Sequence, residues 1–165
     1  MELWEIFDEN RNPKGYTHIR GEEMKSGDYH INVNVWIMNG RGEFFLTKRS
    51  PEKVHPGFWE CTGGSVIAGD TSIECAVKET YEEAGIVLDP ADGELIHSYN
   101  RMEKRGMPDF CDVWFFRKDF DLSDVVLQEG ETCDAMWASK EKILKLLDDG
   151  KLVPVFDYLD IVLNI

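Results

Sequence analysis

Glu79, Glu82 and Glu83 stand at i, i+3 and i+4 in the run Lys78-Glu79-Thr80-Tyr81-Glu82-Glu83-Ala84-Gly85-Ile86, downstream of the glycine pair in Gly63-Gly64-Ser65-Val66-Ile67-Ala68-Gly69-Asp70. On a helix this spacing sets three carboxylates on one face. Like charges so placed repel, and a divalent cation removes the repulsion. Mg²⁺ and Mn²⁺ are hard ions that favour carboxylate, carbonyl and water oxygens; Mg²⁺ commonly takes one or two carboxylates and fills its shell with water and substrate phosphate. The chemistry this layout suits is metal-assisted cleavage of a diphosphate. A lone Glu-x-x-Glu-Glu is more often a solvated acidic face, but the upstream glycines and the helix-end signals around it favour the metal site.

Those signals are local. Thr71 with Glu74 three residues on is a capping box, and Gly85 suits a left-handed C-cap, so a helix is predicted from about Ser72 to Ala84. Ile73, Ala76, Val77, Thr80 and Ala84 recur at helical steps and form its buried stripe. Around it, Ile31, Val33, Val35 and Ile37 alternate along a strand from His30 to Met38, and Asn39-Gly40-Arg41-Gly42 turns the chain into a partner strand over 43–48. Residues 1–29 read as a turn-rich lead-in with a hairpin or loop between Leu3-Phe7 and Tyr16-Arg20. Phe58–Thr62 reads as a short strand, Glu94–Tyr99, Asp109–Asp119 and Thr132–Ala138 as further strands, and 100–108 as a loop. Two helices close the chain over 139–165, the first capped by Ser139, the last running from Pro154 toward Ile165. This is one α/β domain, a mixed central sheet packed between helical layers.

The segment 64–86 resembles the Nudix box, G-x5-E-x7-R-E-U-x-E-E-x-G-U with U apolar. Gly64, Glu79, Glu82, Glu83, Gly85 and Ile86 match in register, while Asp70 replaces Glu, Lys78 replaces Arg and Thr80 replaces an apolar residue. Lysine lacks the planar fork with which arginine holds a carboxylate. The resemblance extends to Pro56-Gly57-Phe58-Trp59-Glu60 before the glycines and to Glu131-x-x-Asp134-x-x-Trp137-x-Ser139 after the box. It implies the Nudix α/β/α sandwich and Mg²⁺- or Mn²⁺-dependent hydrolysis of a nucleoside diphosphate derivative or similar organic diphosphate. It further implies that Glu82, Glu83 and the Gly63 carbonyl bind metal, that Glu79 binds a second ion or acts as general base, and that Glu131 adds a carboxylate from outside the box. Arg49, Trp59, Arg101 and Asp112 are the candidates for substrate contact. Asp70 is expected to support the helix N-terminus.

Two rival readings share the fold. The run from His30 to Asn39, the Lys48-Arg49 pair and the Pro56-Gly57-x-Trp59 turn resemble the isopentenyl-diphosphate isomerases, which need a cysteine immediately before a Gly-His pair. Here Thr62 holds that position and Cys61 is one residue away, on the opposite face of a strand. A non-catalytic binding module is the other rival, motivated by Lys78 and Asp70.

With 32 acidic against 18 basic residues the formal charge is −14, which opposes a nucleic-acid backbone as partner and leaves a small phosphorylated molecule. Four cysteines without a C-x-x-C pair suggest reduced core residues of a cytoplasmic protein. No apolar run approaches the ~18 residues of a membrane span. A homodimer is left open.

Overall fold

The computed structural model describes residues 1–165. In chain order its elements are β1 (Leu3–Phe7), β2 (Pro13–Ile19), β3 (His30–Met38), β4 (Phe44–Arg49), β5 (Trp59–Glu60), β6 (Thr62–Ser65), α1 (Ser72–Ala84), β7 (Glu94–Asn100), α2 (Met102–Arg105), β8 (Asp109–Arg117), β9 (Thr132–Ala138), α3 (Lys140–Asp148) and α4 (Leu159–Leu163). β3 is the centre. It runs parallel to β8 along nine residue pairs, from His30↔Asp109 to Met38↔Arg117, while every other pairing in the sheet is antiparallel. Its other edge is divided: β4 meets it at Met38↔Phe44, and β6 takes residues 32–35. The glycine pair is thereby built into the sheet, with Gly63 opposite Asn34 and Gly64 opposite Val33.

The two faces of β3 serve two cores. Val33, Val35 and Ile37 pack with Cys75, Ala76 and Ala84 of α1, whereas Trp36 packs with Ile143, Leu146, Leu159 and Val162 of α3 and α4. Helices on both faces of a mixed sheet make the α/β/α sandwich. Both halves of the Thr71/Glu74 capping box are formed, and Gly85 closes α1 at φ 70°. Ala76, Thr80 and Ala84 are buried as the stripe requires, and Cys75 and Glu83 join them. Thr80 fits this apolar position because its hydroxyl donates to the Ala76 carbonyl, 2.9 Å, and lies 3.1 Å from the Thr62 hydroxyl.

Some local expectations are corrected. The strand expected over 58–62 is two pieces, β5 and β6, parted at Cys61. The 100–108 loop contains the single turn α2, closed by Gly106 at φ 66°. The last helix covers only Leu159–Leu163, because Pro154–Tyr158 leaves helical geometry to bury Tyr158, whose hydroxyl accepts from Asn34 and Trp36 at 2.7 and 3.0 Å. All four cysteines are free, yet Cys133 is exposed rather than in the core. No helix is long and apolar enough to cross a membrane.

Candidate metal centre and active site

The C-terminal half of α1, the β6 glycines and two distant segments enclose one cleft. Glu2, Arg20, Lys53, Gly63, Gly64, Glu79, Glu82, Glu83, Gln128 and Glu131 line it, and no apolar side chain is among them. The segment before β9 is stitched to the helix end: the Val126 amide donates to the Ala84 carbonyl at 2.9 Å, and the Gln128 amide and Thr132 hydroxyl donate to the Glu83 carbonyl at 3.2 Å each. Those bonds carry Gln128 and Glu131 into the cleft. The Ser50 amide in turn bonds the Glu131 carbonyl at 3.0 Å, which brings Lys53 to ion-pair with the Glu131 carboxylate.

Glu79 and Glu83 are turned inward while Glu82 is exposed. The Glu79 carboxylate lies over Gly64, where an added Cβ would fall 2.2 Å from its carboxyl carbon; only glycine leaves that room. Burial, then Glu82, pushes the Glu79 pKa up to about 7, against the pull of Arg20. Burial, with Glu60 and Glu79, drives Glu83 well above the ordinary carboxylate range, opposed by the nearby Gly63 amide. Glu60 is also raised by burial, although Arg49 pulls it back.

Buried carboxylates raised together are acids short of a counter-charge. The cleft's two cations do not supply it: Arg20 pairs with Glu2 and Lys53 with Glu131. No three His, Cys, Asp or Glu side chains are already gathered into a metal cage. The raised carboxylates around Gly63 and Gly64 fit a hard divalent ion held by one or two of them, with the remaining positions left to water and phosphate.

Arg49, Trp59, Arg101 and Asp112 are not brought to this cleft. Arg49 donates from Nη1 to both oxygens of Glu60, at 2.9 and 2.8 Å. Trp59 packs half-buried against the core on the α3–α4 face, with Lys48 over its ring. Arg101 holds both oxygens of Asp109, and Asp112 is held by Arg11 at 2.8 and 2.6 Å and by Ser98 at 2.7 Å. Asp70 stands just before the helix with both oxygens on Lys78 Nζ, at 2.7 and 2.6 Å, so two departures from the box pattern meet each other. Sequence reasoning missed Glu2, Arg20, Lys53 and Gln128. Each reaches the cleft by tertiary contacts alone, and none carries a local signal.

The NUDIX domain family model matches residues 28–158. The chain belongs to the Nudix family. It is 37% identical over 158 residues to an uncharacterized Nudix hydrolase of Listeria monocytogenes, covering 94% of this chain and 90% of the relative. Over 83 residues, 49% of this chain and 46% of the relative, it is 34% identical to an isopentenyl-diphosphate Delta-isomerase of Pectobacterium atrosepticum. The fold matches a crystal structure from Deinococcus radiodurans with TM-score 0.78 at 20% identity, covering 98% of each chain. This Nudix chain is thus similar to a Nudix hydrolase along nearly its whole length, and to isomerases at 34% identity over about half of it and, for the enzyme of Klebsiella pneumoniae, at 26% over 86% of this chain and 78% of the relative.

Proposed function

We infer that this chain is a Mg²⁺- or Mn²⁺-dependent pyrophosphohydrolase acting on a nucleoside diphosphate derivative or a similar organic diphosphate. One observation carries the reading: Glu79, Glu82, Glu83 and, from a distant loop, Glu131 share one wholly polar cleft floored by Gly63 and Gly64. Glu82, Glu83 and the Gly63 carbonyl would hold the ion, with Glu131 as a further carboxylate. A bound ion of this class withdraws charge from phosphorus and acidifies its water. Glu79, lying over Gly64 beside Glu82 and Glu83, is placed to take a proton from an attacking water. The net charge of −14 favours a small phosphorylated substrate over nucleic acid, and four free thiols suit a reducing, cytoplasmic setting.

The partial likeness to an isomerase is not matched at the position of the isomerase cysteine. Thr62 is buried against Thr80, and Cys61 is sealed in the opposite core with Trp36, Cys111 and Tyr158. Incubation with nucleotide sugars, ADP-ribose, dinucleoside polyphosphates, deoxynucleoside triphosphates and prenyl diphosphates tests both readings. The expected result is metal-dependent release of phosphate or nucleoside monophosphate, which Glu79→Gln lowers at least about 100-fold. Turnover indifferent to chelator or to Glu79→Gln would sink the proposal, and conversion of isopentenyl to dimethylallyl diphosphate would replace it.

A further inference from the structure

Of the two cations in the cleft, Arg20 alone comes from outside the segment covered by the family model, which begins at residue 28. It stands just beyond β2, and the β1–β2 hairpin is fastened to the rest of the chain at four places. The Ala68 amide, in the glycine-rich loop, donates to the Leu3 carbonyl at 2.7 Å. Trp4 stacks on His30 with 3.8 Å between ring centroids and 4° between planes. Phe7 and Tyr29 exchange backbone bonds of 2.8 and 3.0 Å, and Arg11 forks Asp112. This anchoring aims the open end of the hairpin at the acidic floor.

The end itself is loosely closed. The Arg20 amide donates to the Glu2 carbonyl at 3.0 Å, and the Arg20 guanidinium lies 2.5 Å from the Glu2 carboxylate. Their side chains are 54% and 51% exposed, and an ion pair so wet adds little stability. The hairpin backbone is anchored while the guanidinium at its end has one weakly held partner, which makes the ion pair an exchangeable contact. The cleft has five carboxylates, so an incoming diphosphate meets repulsion on every side except at the cations, and arginine's fork matches phosphate oxygens two at a time. Lys53 is engaged with Glu131, which leaves Arg20 the more readily released.

We propose that Arg20 is the substrate-positioning residue of this cleft: it binds the oxygens of the substrate's diphosphate, and Glu2 holds its guanidinium until the diphosphate displaces it. The inference rests on reading the cleft as a diphosphate site. Calorimetry with methylene diphosphonate, a non-hydrolysable diphosphate, titrated into Mn²⁺-loaded full-length protein tests it, with Mn²⁺ binding measured separately. Arg20→Ala is expected to weaken diphosphonate binding at least about tenfold while Mn²⁺ affinity holds within about threefold, and Arg20→Lys to recover part of the loss. Glu2→Gln, which frees the guanidinium without removing it, is expected to tighten binding. Diphosphonate bound equally by wild type and Arg20→Ala, or weakened by Glu2→Gln, would overturn the role of Arg20 and leave the diphosphate site standing. Wild type that binds no Mn²⁺ or no diphosphonate would overturn both.

Discussion

A methyl group on Gly64 would fall 2.2 Å from the Glu79 carboxyl carbon, and one on Gly63 the same distance from the Val33 carbonyl oxygen. The obstacles differ in kind. Glu79 is a flexible side chain that can leave, whereas the Val33 carbonyl belongs to the central strand and cannot move without its neighbours. Gly64→Ala is therefore expected to keep stability within about 1 kcal/mol and to lose about 100-fold or more in turnover, because Glu79 is displaced. Gly63→Ala is expected to cost about 3 kcal/mol through the sheet itself. Urea denaturation beside turnover assays checks the pair; equal stability losses would contradict the distinction. Lys78 shows the same attention to neighbours. It gives Asp70 one nitrogen where arginine would give a fork, yet that nitrogen meets both oxygens, so the shorter acid keeps a partner across the loop–helix junction.

The anchoring of whole elements rests on a few long-range pairs. Arg11, at the hairpin tip with φ 65°, binds Asp112 across 101 residues of sequence, and the Asp112 side chain is only 2% exposed. Arg11→Ala would leave that carboxylate without its counter-charge, with only serine hydroxyls as partners, and is expected to destabilise the fold by about 3 kcal/mol. The double variant Arg11→Met/Asp112→Leu is expected to recover most of it, as a urea double-mutant cycle would show; additive losses would refute the coupling. The same contrast between local and distant determinants explains what the sequence discloses. Helix α1 was legible to its ends because cap, stripe and closing glycine lie within fifteen or so residues. The hairpin was legible as a hairpin, but its docking was not, since it depends on Ala68, His30, Tyr29 and Asp112. Arg101 and Asp112 read as candidates for substrate contact for the same reason: their partners Asp109 and Arg11 are chosen by the fold. The acidic floor was legible as a motif, while its rim of Glu2, Arg20, Lys53 and Gln128 was assembled from segments with no shared pattern.

Across the whole molecule, acid sensitivity below pH 6.5 has a well-placed source in His30. His30 is buried against Trp4, and its Nε2 lies 3.7 Å from an Asp109 oxygen, too far for a hydrogen bond and next to Arg101, which already engages that carboxylate. The ring is therefore neutral, and burial lowers its pKa to about 4 from the usual 6.5. An unfolded chain binds the proton first, so the contribution of His30 is complete above pH 6.5 and is lost as pH falls through 4, by about 3 kcal/mol at most. Melting curves from pH 8 to pH 4 should show wild type losing stability relative to His30→Phe; a constant offset between them would refute the assignment. The cleft, finally, joins two kinds of material. Its floor is the β6 main chain with the carboxylates of α1, set by sheet and helix at folding, and its rim is side chains contributed by a hairpin and two loops. Mutation can thus rework the rim one position at a time without disturbing the floor, so descendants of this chain could acquire new substrates while inheriting the same reaction.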